Sequence, residues 1–131
     1  MNKADFDELV DAWIACVVLG RDERGRATQE YEKNWWALET VMNWPYDNQH
    51  ELLWSFILAV HARDINGAAS PHLAAGPVED LLSDFGNAYI ERVEALAASD
   101  VRFKDMLCWA WQAGMSDELW RRFQLARSGA C

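Results

Sequence analysis

The chain has 131 residues, 51% of them apolar, and a formal net charge of −9. That length fits one domain spanning residues 1–131, since two would each hold a marginal core. With 21 acids against 12 bases, nucleic-acid backbones and anionic membrane surfaces are excluded as partners, because both demand Lys and Arg.

Phe6, Leu9, Val10, Trp13, Ile14 and Val17 recur at spacings of three and four, one stripe of an amphipathic helix that Gly20 ends. Its early acids, Asp5, Asp7, Glu8 and Asp11, suit the positive end of the helix dipole. RDERGRATQ, 21–29, reads as an exposed polar loop. Thr28 can cap a second helix with Tyr31, Trp35, Leu38 and Val41 on one face, stopped by Pro45. Trp36 lies about 100° around from Trp35, so the two indoles cannot share one narrow stripe. Asp47 opens a third helix, to about residue 63, apolar on every side and so expected in the middle of a bundle.

After the loop INGAASPH, the segment PHLAAGPVEDLLSDFG carries start and stop signals for a short fourth helix. Gly76 falls at the N-cap, Pro77 at the first helical position and Glu79 at the third, with Gly86 as the left-handed terminator. Asn87 is read as the cap of a fifth helix burying Tyr89, Ile90, Val93, Leu96 and Ala97. Asp100 starts a sixth with Phe103, Leu107, Ala110 and Trp111 inward, ended by Gly114. Ser116 caps the last, packed through Leu119, Trp120 and Phe123. No alternating run bounded by turns suggests a sheet. The expectation is an all-α bundle of six to seven helices, whose short connections allow HEAT-like stacking of pairs without any visible repeat.

The three cysteines, Cys16, Cys108 and Cys131, are odd in number and widely spaced, which suits neither a disulfide framework nor a zinc site. Cys16 and Cys108 are expected as buried thiols, Cys131 as a mobile one. The first residues are acidic where a signal peptide is basic, and the longest apolar run, LLWSFILAV, is half a membrane span. A soluble cytoplasmic protein is the expectation.

Chemistry is sparse. His61 and Asp64 are three apart on one helix face and, with His72, make a weak metal candidate, but there is no HExxH and no paired ExxH. Adjacent helical carboxylates such as Glu79 and Asp80 point about 100° apart and cannot converge on one atom. No nucleophile elbow or glycine-rich phosphate loop is present, so neither catalytic residues nor a cofactor is assigned. What remains is surface. Trp36, Trp44, Tyr46 and Trp109 fall beside the apolar stripes, and Trp36, Trp44 and Tyr46 stand among Glu32, Glu39 and Asp47. Such indoles with an acidic rim form a hot-spot pattern for a protein partner.

LAAGPVEDLLSDFG, followed by YIERVEALAASDVRF and a Trp-bearing helix ahead of MSDELWRRF, resembles a family of small bacterial helical proteins of unknown function. Its pattern is a Trp-bearing helix, L-A-A-G-P-x-E-D-L-L, a glycine, then a helix carrying Ile or Val with Glu or Arg. The likeness runs from about Trp54 to Phe123, and the residues before 50 carry no signature. It implies a bacterial, cytoplasmic, helical protein and transfers no catalytic residue.

Size, charge and helicity match immunity proteins, which cover a toxin's active site. The leading functional expectation is an inhibitor of this kind, meeting a basic toxin or effector through Trp36, Glu39, Trp44, Tyr46 and Asp47, with Glu32 at the rim. The alternatives are a small enzyme or metal protein around His61, Asp64 and His72, a homodimeric scaffold, and a DNA-mimicking anti-phage or anti-CRISPR inhibitor.

Overall fold

The side chain of Asn2 accepts a hydrogen bond from the Asp5 amide at 2.8 Å, satisfying one of the open donors at the start of the first helix. From there α1 runs Lys3–Leu19 in the computed structural model, which describes residues 1–131. It buries Leu9, Val10, Ala12, Trp13 and Cys16 and stops at Gly20. The loop that follows is tightly built. Asp22 accepts from the backbone N–H groups of Arg24 and Arg26 and from Arg26 Nε, at 2.9, 2.9 and 3.0 Å. The amide of Arg26 first, with those companion bonds, holds the Asp22 carboxyl below its ordinary range.

Thr28 caps α2, Gln29–Asn43, as expected, accepting from the Tyr31 amide at 3.4 Å while donating to the Leu19 carbonyl at 2.7 Å. The buried face of α2 differs from the expected one: Asn34, Ala37 and Val41 point inward, while Trp35 is exposed. Asn34 is accommodated because its amide donates to the Glu30 carbonyl and carboxylate, at 2.8 and 3.0 Å. The third helix, α3, begins at His50 and not at Asp47, and ends at Arg63. Residues 44–48 form turns instead, with the Asp47 amide donating to Asn43 and Trp44 carbonyls and Asn48 left-handed at φ 58°.

The chain divides into two compact units, Met1–Ala69 and Ser70–Cys131. In the first, α1 packs on α2 and α3, and Phe56 of α3 is fully buried. Trp13 and Trp44 both meet the Phe56 ring edge-on, at centroid distances of 5.2 and 5.6 Å. Arg63 bridges Asp7 and Asp11 of α1, tying the end of α3 to that helix.

The second unit opens on α4, Ser70–Leu73, which continues through a π-helical turn, Ala74–Val78, into α5, Glu79–Ser99. Pro77 therefore lies inside a helix and Gly76 is no N-cap, a correction with a local reason. The wider i→i+5 bonding of a π turn gives room to a residue that lacks an N–H. Gly86 likewise does not terminate a helix, and Asn87 does not cap one. Both lie within α5, which kinks one residue earlier at Phe85, φ −133° and ψ 26°.

The need for glycine at 86 is spatial. A Cβ there would stand 2.1 Å from Leu119 Cδ2 and 3.2 Å from its Cγ. Gly86→Ala is expected to lose about 1–3 kcal/mol of stability through overpacking. In a Leu119→Ala background the same change should cost far less. Urea denaturation of the four chains checks this, and additive losses would refute the contact.

Asp100 and Ser116 cap α6, Val101–Met106, and α7, Asp117–Ala126, through bonds from Phe103 and Leu119 amides at 3.0 and 3.2 Å. A 3₁₀ turn, Leu107–Trp109, extends α6, so the sixth helical segment ends well before Gly114 and Trp111 is exposed rather than inward. The molecule is all-α; its sole β-type pairing is the bridge Arg21–Ala27.

Candidate functional sites

Helix α2 carries Trp36 with Glu32 four residues before it and Glu39 three after, so the three share one face. All three are exposed. The Trp36 indole walls a groove of about 370 Å³ between α1 and α2, lined also by Glu8, Asp11, Glu30, Lys33 and Asn34. Three carboxylates against one ammonium make the groove negative, and an indole face beside them is a surface on which a cation can rest.

The other expected contact residues are dispersed. Tyr46 and Asp47 are exposed on the turn after α2 and do not line the groove. Trp44 must be withdrawn as a partner-binding residue: at 5% exposure it belongs to the core, edge-on to Phe56. Trp35, unmarked by its helical stripe, tilts against Tyr31 at 5.5 Å, while the Arg21 guanidinium sits 4.3 Å over the Tyr31 ring.

The metal candidates are placed differently again. Asp64 is buried, and both its carboxylate oxygens accept from the Ala69 amide at 3.0 Å, an arrangement that closes the loop after α3. His61 is buried in the first unit, and His72 belongs to the second. Nowhere do three His, Cys, Asp or Glu side chains gather as a metal would require. Burial pushes the Cys16 thiol up, against a smaller opposite pull from Arg21, which suits an inert core sulfur.

The second unit contains a feature the sequence did not expose. Cys108 and Cys131 form a disulfide, correcting the expectation of a buried thiol and a mobile one. It is one of several restraints on the segment from Leu107 to Ser116. The Trp111 amide donates to Glu79 Oε2 at 3.1 Å, and the Gly114 amide to Ser83 Oγ at 2.9 Å. Arg127 Nη1 donates to the carbonyls of Leu107 and Ala110 at 3.0 and 2.9 Å. Gln112 Nε2 holds the Met115 carbonyl and the Asp117 carboxylate at 3.0 and 2.9 Å. Glu79 thus serves across the fold and not as a helix cap. On this restrained segment Trp109 and Trp111 are 57% and 75% exposed.

An all-α protein with indoles displayed among carboxylates, and without a gathered catalytic or metal-ligating set, falls in the class of binding proteins by its surfaces alone. The chain belongs to a family of unknown function (DUF6869), whose model matches residues 24–131. The match begins well before Trp54 and takes in α2, so the family resemblance extends over a segment in which no signature was visible. No curated protein and no solved structure matches the chain.

Proposed function

We propose that the protein is a protein-binding inhibitor, of the type of an immunity protein, that engages a basic toxin or effector. The observation that supports this is the Trp36 groove, an indole wall facing Glu8, Asp11 and Glu30. A lysine or arginine of the partner would lie on the indole with its charge toward the carboxylates, while Glu32 and Glu39 attract it from the rim. Charge would speed arrival and the desolvated indole would slow departure. Covering a basic catalytic cleft in this way needs no chemistry of the inhibitor's own.

The test begins with tagged protein used to capture partners from cells of its source, washed at low and high salt. One stoichiometric basic protein, released as salt rises, is the expected result. Against that partner Trp36→Ala is expected to weaken binding about tenfold or more. Changing Glu32 and Glu39 together to glutamine should slow association and flatten its salt dependence. Unchanged affinity in both variants, with helicity intact, would overturn the reading.

No helix is long and apolar enough to cross a membrane. A cytoplasmic location would keep Cys108 and Cys131 as thiols, whereas an oxidising compartment would preserve their bond. Non-reducing mass analysis of the protein from its source cells separates the two.

A further inference from the structure

Along α5, the anchors Glu79 and Ser83 are one helical turn apart, about 6 Å. The segment they hold therefore runs beside the helix, with Trp111 at the Glu79 end and Gly114 at the Ser83 end. At that second end the kink at Phe85 opens a cleft of about 370 Å³, lined by Ser83, Asp84, Phe85, Asn87, Gly114 and Ser116 among others. Its polar lining consists of hydroxyls, an amide and the Asp84 carboxylate, and no lysine or arginine borders it. Glu79 and Asp80 follow on the same helix toward the indoles.

We propose that this face of the second unit is a docking site for a cationic protein segment. One arginine or lysine side chain enters the cleft toward Asp84, and apolar residues beside it pack on Trp109 and Trp111. The site is separate from the Trp36 groove and does not depend on it.

Charge complementarity selects the occupant. Glu79, Asp80 and Asp84 stand within six residues of α5, and burial, then Asp84, then Glu79, raise the Asp80 carboxyl above its ordinary range. A cation brought among these groups relieves their mutual repulsion. A second copy of this chain, itself at −9, would add to that repulsion. Pre-organisation supports the same conclusion. Exposed indoles on a loose loop lose entropy when they bind, whereas these are already held by Glu79, Ser83, Arg127 and a disulfide.

The probe is a fluorescein-labelled nine-residue peptide of alternating arginine and leucine, with a counterpart carrying glutamate for arginine, read by anisotropy on the full chain. The arginine peptide is expected to bind and the glutamate peptide not to. Trp109→Ala with Trp111→Ala should weaken binding about tenfold. Asp84→Asn should weaken it severalfold and lower its salt dependence, while Trp36→Ala leaves it unchanged. These side chains are exposed, and circular dichroism verifies that each variant is folded. Failure of the arginine peptide to bind overturns the proposal. So does binding lost in Trp36→Ala but kept in the Trp109 and Trp111 variant, which assigns the peptide to the groove. A dimer in sedimentation that Trp111→Ala dissolves would make a second copy the occupant and would overturn it equally.

Discussion

Phe56→Ala is expected to remove about 3–5 kcal/mol of stability, the range for deleting a buried phenylalanine. The ring is wholly shielded from water, and its loss leaves a cavity bounded by Trp13 and Trp44. Both indoles present edges or faces to it at near right angles, 84° and 76°, the geometry in which aromatic quadrupoles attract. Each such pair is worth about 0.5–1.5 kcal/mol beyond burial, so two are lost along with the transfer energy of the ring. Neither indole can swing in to fill the space without abandoning its own helix contacts. Against a total stability of about 5–15 kcal/mol this is a large fraction. Urea unfolding of Phe56→Ala and Phe56→Leu checks it. The leucine variant should lose roughly half as much, because it keeps most of the volume, and a loss below about 1 kcal/mol in the alanine variant would show that Phe56 does not centre this core.

That same cluster shows which parts of the molecule the sequence could disclose. Thr28, Asp100 and Ser116 were legible as caps because each acts on an amide three residues ahead, and nothing distant competes for it. The apolar stripe of α1 was legible for the same reason: a period needs only its own helix. Trp44 was not. It follows the last turn of α2 and precedes Pro45, so periodicity does not say which side another helix will cover, and Phe56 covers it.

The segment around Gly76 failed through the same kind of distance. Its glycine, proline and glutamate imitate a helix start, but the partner of Glu79 is the amide of Trp111, and the neighbour that dictates Gly86 is Leu119. Spacing along the chain contains neither fact. For the candidate site, Glu32, Trp36 and Glu39 were legible as one surface because they share α2. Glu8 and Asp11 join them only through the packing of α1 on α2, and the Trp109 and Trp111 display arises from restraints up to 32 residues apart.

The disulfide carries the other large effect. Cys108 and Cys131 are separated by 23 residues, and closing a loop of that length restricts the unfolded chain by about 3 kcal/mol on the chain-entropy account. Cys131→Ser is therefore expected to lower stability by about 3 kcal/mol, and a reductant should do the same to the unmodified protein. Added to the variant, the reductant should have no further effect, which separates loss of the bond from any effect of serine itself. An unmodified protein whose urea midpoint ignores the reductant would refute the assignment. The consequence reaches the surface, because Cys108 lies inside the 3₁₀ turn that ends at Trp109. Arg127 still holds the Leu107 and Ala110 carbonyls when the bond is open, so the turn stays formed while its covalent tie to residue 131 is gone. Reduction should then cost stability in full, but weaken binding at the Trp109 and Trp111 face only in part. The split between those two losses measures how much of the display rests on the disulfide and how much on the hydrogen bonds of Glu79, Ser83 and Arg127.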